Sequence, residues 1–415
     1  MTTSDPLYVG SHLNSLSLEI KSTRIFRRPV SYAGARAEVP LGADAQDLAA
    51  HRETWGSPIL SVADFVHAVS GSDLTGRGGA HIPVTWKLDA AREAGPGGTV
   101  VVNGAEGEPG SAKDAALLQL RPHLVIDGAL AVAEAIEARE VVLWVHESAT
   151  ATRARVADAV RERGTELPVS VRMLLAPDGY VGGEASAVIS AVGGGPALPA
   201  HSVDRARPWG DGAAVLVHNA ETHARLGMLS LGHDPVETSL VTVAESSAPL
   251  RFTRRTVVEV HRLQTFASVL SGLGVTPPRA VLLGGMGGTW VEWRDLAGLP
   301  MDPQELRRRG LSLGAGIIHL LPEGRDGLAE SAAILDRLAV ESARQCGPCV
   351  FGLPSLAASM HQAVRARRGG LLRRPSPRHD HKVVAASDLV VGRGACRHPD
   401  GAARMAMSAV EVFGS

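Results

Sequence analysis

The chain has 415 residues, a formal net charge of −1 at pH 7 and a hydrophobic content of 45%. This length allows two to four domains with substantial apolar cores, and the near-zero charge argues against a general nucleic-acid binder. The first 29 residues hold no continuous apolar segment, and no stretch approaches 18 uncharged apolar residues, so neither a signal peptide nor a direct membrane span is expected. Three cysteines are too few for a disulfide framework, and we expect a cytoplasmic protein.

Residues 1–55 follow no regular pattern, and we interpret them as an N-terminal extension. From residue 56 to residue 235, strand-like and helix-like segments alternate. The predicted strands are 100–103, 141–145, 169–175 and 213–217, and the predicted helices are 122–138 and 150–163. This alternation predicts an α/β domain with a mostly parallel sheet and helices on both faces.

The pattern changes after residue 235. Residues 236–322 are predicted to form a small mixed α/β module, with strands at 241–243, 256–260, 280–283 and 317–321 and a short helix near 265–272. Residues 323–415 are predicted to be helical, with helices at 329–345, 353–368 and 401–413. This last block carries all three cysteines.

A glycine-rich segment stands near the start of the α/β domain, with Gly76, Gly78 and Gly79 around Arg77, and Lys87 follows it. Glycines allow backbone N–H groups to approach a phosphate or a flat ring without a Cβ clash. Only four lysines occur in the chain, and two of them lie in motifs of this kind. The alternative is a tight loop between packed elements.

An acidic turn follows the strand that is predicted to end at Asn103, where ligands bind in parallel α/β sheets. Glu106 and Glu108 in this turn could accept hydrogen bonds from ribityl or ribose hydroxyls, or from ring N–H groups. A structural function is equally consistent with the sequence, because Ser111 could cap a helix and Asp114 could complete a capping box.

Two further segments carry polar residues that suit a ligand-binding crevice at the same end of the predicted sheet. Tyr180 could cover a flat ring, and Glu184 could contact it, on either side of a Gly-Gly pair. Asn219 and Thr222 follow another predicted strand and offer polar contacts. The structural alternatives are a helix start at Glu184 and a helix N-cap at Asn219.

The cysteines form a Cys346-Gly-Pro-Cys349 motif and a distant Cys396. A thioredoxin-like dithiol has this four-residue sequence, but here the preceding Trp is missing and a helix-like run comes before it. A zinc site of three cysteines and one histidine is another alternative.

In their order and spacing, these segments resemble the flavin-binding F subunit of bacterial NADH-quinone oxidoreductase, from about Asp73 to the C-terminus. The resemblance implies a Rossmann-like FMN-binding domain over 56–235, a β-grasp-like module of the SLBB type over 236–322 and a helical iron–sulfur domain over 323–415. It implies an oxidoreductase that passes electrons from NADH or another donor through FMN to an iron–sulfur cluster, and then to a protein partner.

The same resemblance assigns functions to individual residues. FMN would be held by Gly76, Arg77, Gly78, Gly79, Lys87, Asn103, Glu106, Tyr180, Glu184, Asn219 and Thr222. Glu108 and Glu184 would lie at the substrate side of the flavin ring. Cys346, Cys349 and Cys396 would bind a [3Fe–4S] cluster, or a [4Fe–4S] cluster whose fourth iron has a ligand other than cysteine.

Several positions depart from the family pattern on the side of the dinucleotide. Ile82 and Ala90 stand where the family has the two aromatic rings that sandwich the adenine of NADH, and His218 replaces one of two paired asparagines. We therefore hypothesise that NADH binding is weakened or lost. The alternative is that Trp86, His81 or His201 rebuilds the pocket, and another alternative function is a non-catalytic scaffold or electron-relay subunit.

The cysteine motif also departs from the family pattern, because Ala343 stands where the family has a further cysteine. His398 is the nearest candidate for a fourth cluster ligand, followed by His361, His379 and His381. The expected partner is a ferredoxin or a complex I-like subunit, with attachment at the periphery of a membrane complex. The arginine-rich segment 365–378 is either a solvated linker or a docking strip for such a partner.

Overall fold

The protein is described by a computed structural model that covers residues 25, 30–33, 45–200, 209, 212–235, 237–368 and 377–414. Most of the predicted extension 1–55, the segment around His201 and part of the arginine-rich segment lie outside the described residues. Within the extension, strand β1 (Val30–Ala33) and helix α1 (Leu48–Trp55) are described.

The first sheet is entirely parallel and has the strand order β4-β3-β2-β5. Its strands are β2 (Thr99–Asn103), β3 (Glu140–His146), β4 (Ser170–Ala176) and β5 (Val215–Asn219). Each overlaps a segment predicted from its apolar run, so the predicted parallel sheet is confirmed. Since β2 and β5 are neighbours in register, Asn103 lies directly beside Asn219.

Helices cover both faces of this sheet, as predicted. They are α2 (Val62–Gly71), α3 (Val84–Glu93), α4 (Lys113–Leu120), α5 (Pro122–Ala135), α6 (Thr150–Arg163), α7 (Ala185–Val192) and α8 (Ala220–Ser230). Successive strand residues point to opposite faces. Val100 and Val102 therefore enter the core formed with α5 and α8, whereas Val101 packs in the smaller core beside α7.

Helices α5 and α8 approach each other closely enough to require glycine at their contact. A Cβ atom on Gly128 would lie 1.8 Å from the carbonyl oxygen of His223, and one on Gly227 would lie 2.2 Å from that of Leu124. No side chain larger than hydrogen fits at those distances. This contact fixes α8, and with it the polar residues at its N-terminus, against the sheet.

The second sheet is mixed and has the order β1-β7-β6-β10-β8-β9, in which only β6 and β10 pair in parallel. Its further elements are β6 (Thr238–Ala248), β7 (Arg251–His261), α9 (Phe266–Gly272), β8 (Ala280–Leu283), β9 (Thr289–Glu292), α10 (Trp293–Leu296), α11 (Pro303–Arg308) and β10 (Ile317–Leu321). The predicted strands and short helix of this region are all present. Strand β1 of the extension pairs with β7.

The C-terminal part is helical, as predicted, with α12 (Gly327–Val340), α13 (Leu353–Arg368), α14 (Pro377–Asp388) and α15 (His398–Phe413). Helix α12 ends five residues before the predicted end at residue 345. Arg344 has a positive φ of 52°, which a right-handed helix cannot contain. Cys346 consequently lies in a loop, and Cys349 lies in the single π-helical turn Pro348–Gly352 that precedes α13.

Among the described helices, none alone has the length and apolar composition needed to cross a membrane. Helices α4 and α5 meet that criterion only as a pair, and they are bent by 93° relative to each other.

Candidate functional site

The glycine-rich loop folds over the N-terminus of α8. The N–H of Gly76 donates to the carbonyl of Ile82 at 2.8 Å, which closes the loop on itself. The N–H of Arg77 donates to the hydroxyl of Thr222 at 2.9 Å. A Cβ on Gly78 would lie 3.5 Å from the Cβ of Asn219. The structure therefore brings together the predicted residues of the first and last motifs.

The side chain of Arg77 extends toward the second sheet. Its guanidinium donates to the hydroxyl of Ser239 at 2.7 Å and to the carbonyl of Thr238 at 3.3 Å. Burial lowers the pKa of Arg77 to about 10, and Glu221 opposes that shift. Arg77 remains charged at neutral pH, and its contacts join the two sheets as well as bordering the glycine loop.

Lys87 lies on α3 with its amine beneath the end of β5. Its Nζ donates to the carbonyl of Val217 at 3.1 Å. Burial lowers the pKa of this amine to about 8, and the nearby carboxylate of Glu184 opposes the shift. Lys87 is therefore mostly cationic at neutral pH, and it is the one predicted site residue whose charge lies close to that of Glu184.

The two asparagines at the strand ends hold neighbouring elements in place. The Nδ2 group of Asn103 donates to the carbonyl of Gly183 at 2.8 Å. The Nδ2 group of Asn219 donates to Asp114 at 2.6 Å, while its Oδ1 accepts from the N–H of Glu221 at 3.0 Å and caps α8. The predicted N-cap at Asn219 is confirmed, and both amides define the carboxyl-end edge of the sheet.

Lys113 is a member of this edge that was not predicted among the site residues. Its buried amine contacts Asp114 at 2.8 Å, Asn219 at 3.0 Å and Glu221 at 3.3 Å. Burial would lower the pKa of Lys113, but the carboxylates of Asp114 and Glu221 outweigh burial and raise it. Its position within the acidic motif of a lysine-poor chain was a usable signal.

The acidic turn caps α4 in a way that differs from the predicted capping box. Glu106 accepts hydrogen bonds from the N–H groups of Asp114 at 3.1 Å and Ala115 at 3.2 Å, and from the hydroxyl of Ser111. The predicted cap by Ser111 is therefore wrong, because the carboxylate reaches back across the turn and takes that position. Glu106 borders the crevice with its charge directed at a helix N-terminus.

Glu108 lies where the acidic turn after β2 meets the glycine-rich turn that follows β8. Its carboxylate accepts the N–H of Met286 at 2.6 Å, and a Cβ on Gly285 would lie 2.3 Å from it. Burial raises the pKa of Glu108 to about 7, the charge of Glu106 adds to the shift, and the Met286 hydrogen bond opposes it. This carboxyl group can hold or release a proton near neutral pH.

The segment Tyr180–Gly183 is a short 3₁₀ turn that packs directly on the acidic turn. A Cβ on Gly107 would lie 2.6 Å from the carbonyl oxygen of Gly179, and one on Gly183 would lie 2.8 Å from that of Ala105. The two turns therefore meet backbone to backbone. They can approach this closely only because both sides of the contact are glycine-rich.

The same turn contacts the helical domain. The N–H of Tyr180 donates to Glu341 at 3.0 Å, and the ring of Tyr180 lies 5.0 Å between centroids from that of His398. Burial raises the pKa of the Tyr180 phenol, so the hydroxyl stays protonated. Tyr180 thus connects the edge of the parallel sheet with the helices that carry the cysteines.

Glu184 is the N-cap of α7, as the structural alternative predicted. Its carboxylate accepts the N–H groups of Ser186 at 2.8 Å and Ala187 at 3.0 Å. The same carboxylate opposes the lowering of the Lys87 pKa and contributes to raising the pKa of Cys396. One charge therefore acts on both the lysine of the crevice and a cysteine of the helical domain.

The three cysteines are near enough to influence one another's ionisation, and nearby backbone N–H groups also act on their thiols. Burial opposes ionisation of Cys346, but hydrogen bonds from Ala395, and from the backbone and thiol of Cys349, lower its pKa. Burial raises the pKa of Cys349 to about 12, and the neighbouring Cys346 and Cys396 add to that shift. Burial also raises the pKa of Cys396, against a hydrogen bond from the N–H of His398.

The polar groups at the end of the parallel sheet and the thiols of the helical domain fit different cofactors. A glycine loop, the cation Lys87 and the amides Asn103 and Asn219 match the phosphate, hydroxyl and ring-edge groups of FMN in chemistry. Three thiols that receive backbone N–H bonds match the sulfur ligands of an iron–sulfur cluster. Within the described ranges, no three His, Cys, Asp or Glu side chains are placed to bind one metal ion together.

Comparisons with known families agree with both assignments. Residues 69–227 match the Nuo51 FMN-binding domain, and residues 329–415 match the iron–sulfur binding region of NADH-ubiquinone oxidoreductase-F. These two regions belong to one kind of subunit and together cover more than half of the chain.

Curated relatives carry the corresponding name. The F subunit of NADH-quinone oxidoreductase from Aquifex aeolicus is 27% identical over 322 residues, which are 71% of this chain and 72% of the relative. The F subunit from Mycobacterium bovis is 23% identical over 385 residues, 84% of this chain and 83% of the relative.

Solved structures show the same fold. A chain of an NAD⁺-reducing [NiFe]-hydrogenase in the H₂-reduced state superimposes with a TM-score of 0.68 at 22% identity. The match covers 85% of this chain and 61% of the hydrogenase chain, so the protein spans less than two thirds of that neighbour's length.

The fold and the two cofactor regions define an oxidoreductase flavoprotein of the FMN and iron–sulfur electron-transfer class. The chain belongs to the family of the NADH-quinone oxidoreductase F subunit, of which it is a divergent member. FMN and a [4Fe–4S] cluster are the cofactors of this family's two matched regions.

The raised pKa of Glu108 predicts a pH-dependent loss of stability. The folded protein holds the Glu108 proton more tightly than the unfolded chain does. The contribution of this group to the free energy of unfolding is therefore fully present below pH 4.5 and is lost as pH rises to about 7. Replacing Glu108→Gln should therefore stabilise the protein increasingly over that interval, by up to about 3 kcal/mol above pH 7. Melting temperatures of both proteins between pH 4.5 and 8 measure the difference.

The matched control is Glu411→Gln, which changes an exposed carboxylate near the C-terminus. Because this carboxylate is exposed, its replacement should change the melting temperature at pH 8 much less than Glu108→Gln does. A Glu108→Gln variant whose difference from the wild type stays constant with pH would contradict the raised pKa.

Proposed function

We propose that this chain passes electrons from a donor through FMN to an iron–sulfur cluster and then to a protein partner. The observation that carries the proposal is the position of Tyr180, whose turn packs on the acidic turn while its ring lies 5.0 Å between centroids from that of His398, two residues after Cys396. The Tyr180–Gly183 turn and Glu184 therefore form a wall of protein between the proposed FMN site and the cysteines. Electrons would pass from FMN to the cluster through these residues.

FMN would be held at the carboxyl ends of β2 and β5. The proposed contacts are the residues predicted from the sequence, namely Gly76, Arg77, Gly78, Gly79, Lys87, Asn103, Glu106, Tyr180, Glu184, Asn219 and Thr222, together with Lys113. Bound FMN supplies the conversion of a two-electron donor to single-electron transfer. Of these residues, Lys87 gives the crevice a positive charge, and Asn103 and Asn219 fix its edge.

Glu108 and Glu184 are proposed to work on the substrate side of the ring. Glu108 has a pKa of about 7 and can exchange a proton at neutral pH when charge accumulates nearby. Glu184 is fixed by two backbone N–H groups at the start of α7, and its carboxylate acts on both Lys87 and Cys396. Its contribution is electrostatic and positional.

The domain limits predicted from the sequence remain our proposal for the organisation of the chain. We assign 56–235 to the FMN domain, 236–322 to an SLBB-like β-grasp module and 323–415 to the helical iron–sulfur domain, after an extension over 1–55. The mixed sheet around β6 and β7 supports the second assignment, and the three cysteines at the ends of α12, α13 and α15 support the third.

NADH is proposed to be a weak donor. The two positions carry aliphatic side chains in place of aromatic rings. Ala90 is buried within α3, and the carbonyl of Ile82 closes the glycine loop. Trp86 is 62% exposed, and both ring nitrogens of His81 are buried without a hydrogen-bond partner. Loss of two stacked rings, each worth about 1 kcal/mol, corresponds to binding weaker by about thirtyfold.

The chain is proposed to act as a subunit of a larger assembly at the periphery of a membrane complex, in the cytoplasm. Its curated relatives are named as subunits, which supports a partner chain that accepts or donates electrons. A ferredoxin or a complex I-like subunit would serve. The non-catalytic scaffold is the less favoured alternative, because residues suited to both cofactors are retained.

Lys87 should be required for tight FMN binding. Replacing Lys87→Gln removes a charged hydrogen-bond donor and should raise the Kd for FMN about tenfold or more. The wild-type affinity should fall as pH rises through about 8, where this amine loses its proton, and the affinity of the variant should not. Isothermal titration of the apoprotein with FMN measures both effects.

The control is Lys382→Gln, which alters an exposed lysine on α14 that donates to Gln362 at 3.1 Å. Its Kd for FMN should equal that of the wild type. Equal FMN affinity of Lys87→Gln and wild type at pH 7 would exclude Lys87 from the binding site.

Anaerobic titration with NADH should test the weakened dinucleotide site. The flavin absorbance band is expected to persist at micromolar NADH and to bleach only far above that range, whereas dithionite should bleach it fully. Replacing Ile82→Phe restores one ring and should lower the NADH concentration needed. Complete bleaching of the wild type by micromolar NADH would show that the dinucleotide site is intact.

A further inference from the structure

The cluster region offers three thiols, although a [4Fe–4S] cluster has four irons that each need an outer ligand. The chain contains no other cysteine, and the position where the family has its additional one is Ala343. Within this chain, the fourth iron must therefore take a ligand that is not a thiolate, or the cluster must lack that iron. The identity of that ligand rests on the proposed iron–sulfur function.

His398 lies next to the third thiol and is buried, with 8% of its surface exposed. It is the first residue of α15, two positions after Cys396 in the chain. Its ring also lies beside Tyr180, at 5.0 Å between centroids. The imidazole of His398 thus lies against Tyr180, and its residue follows Cys396 by two positions.

The hydrogen bond between the imidazole of His398 and a backbone carbonyl determines which ring nitrogen carries the hydrogen. Nε2 lies 2.8 Å from the carbonyl oxygen of Leu338 in α12, and a carbonyl can only accept, so Nε2 carries the hydrogen. The lone pair of the neutral ring is then on Nδ1, which is buried without a hydrogen-bond partner. Histidines that bind metals commonly have this arrangement, with one nitrogen donating to a carbonyl and the other directed to the metal.

The other histidines considered from the sequence are less suited. His361 lies 2.8 Å from Asp336, and its side chain is 40% exposed. His381 is exposed on α14. The side chain of His379 lies outside the described residues.

The carboxylates that act on the cysteines or lie beside them already have partners. Glu184 caps α7, and Glu341 accepts the N–H of Tyr180. Asp400 accepts the N–H of Gly392 at 2.7 Å and a bond from Arg397 at 3.0 Å. Among these side chains and the histidines, His398 combines burial, proximity to a thiol and an unused lone pair.

We propose that Nδ1 of His398 is the fourth ligand of a [4Fe–4S] cluster whose other ligands are Cys346, Cys349 and Cys396. A neutral imidazole in place of a thiolate leaves the cluster with one negative charge fewer. Such a cluster is easier to reduce, because replacing thiolate ligands by histidine raises the reduction potential of iron–sulfur centres. The substitution therefore tunes the cluster as an electron acceptor for the flavin.

The test uses the full chain, reconstituted anaerobically with FMN, iron and sulfide after labelling with ¹⁵N-histidine. Iron analysis and Mössbauer spectroscopy count the irons, and pulsed EPR of the reduced cluster detects a nitrogen ligand. The wild type should hold four irons and show histidine nitrogen coupling. His398→Ala should lose that coupling and one iron, and should give the EPR signal of an oxidised [3Fe–4S] cluster.

Two further variants keep the test decisive if His398→Ala does not fold. His398→Cys should retain four irons, lose the nitrogen coupling and have a lower reduction potential than the wild type. His361→Ala should match the wild type in all three measurements.

Three outcomes would overturn the assignment. A wild-type cluster with three irons would show that no fourth ligand exists, and a four-iron wild-type cluster without nitrogen coupling would show that the ligand is not histidine. Nitrogen coupling that disappears in His361→Ala and persists in His398→Cys would identify another histidine. A chain that takes up FMN but no iron at all would instead overturn the proposed function.

Discussion

The backbone contact between the acidic turn and the Tyr180 turn is the constraint on which the site depends. Gly107 lies against the Gly179 carbonyl, and Gly183 lies against that of Ala105, at distances that exclude any Cβ. Because the two turns touch directly, Tyr180 and Glu184 stay at the carboxyl end of the parallel sheet while they also reach the helical domain. A larger residue at either glycine would push the crevice away from the cysteines and lengthen the path between the two cofactors.

Much of the fold follows from local sequence patterns, whereas several site contacts do not. Apolar runs marked all four strands of the parallel sheet and four strands of the mixed sheet, but β1 and β9 were not predicted. The helix pattern predicted the observed limits of α6 and α13. The predicted continuation of α12 to residue 345 is excluded by the left-handed conformation of Arg344, which no propensity indicates. Glu106 replaced Ser111 as the cap of α4 because of a turn geometry that exists only in the folded chain.

The site shows the same division. The order of the motifs predicted which polar residues surround the crevice, and the neighbouring positions of Asn103 and Asn219 follow from the pairing of β2 with β5. The direction of the Arg77 side chain toward Ser239 was not predictable, because the second sheet provides its partner. The buried contacts of Lys113 likewise depend on two segments that are far apart in sequence, residues 113–114 and 219–221.

The central claim is that one chain carries electrons from flavin to cluster across the wall formed by Tyr180 and Glu184. It is tested most directly by photoreducing FMN with a flash, in anaerobic reconstituted protein that contains a sacrificial donor, and following both centres by absorbance and freeze-quench EPR. The account predicts that reduced-cluster signal appears in the same molecules as flavin reoxidises, and that Cys349→Ser retains the flavin bleach without that signal. A flavin that stays reduced beside a bound, chemically reducible cluster would contradict it.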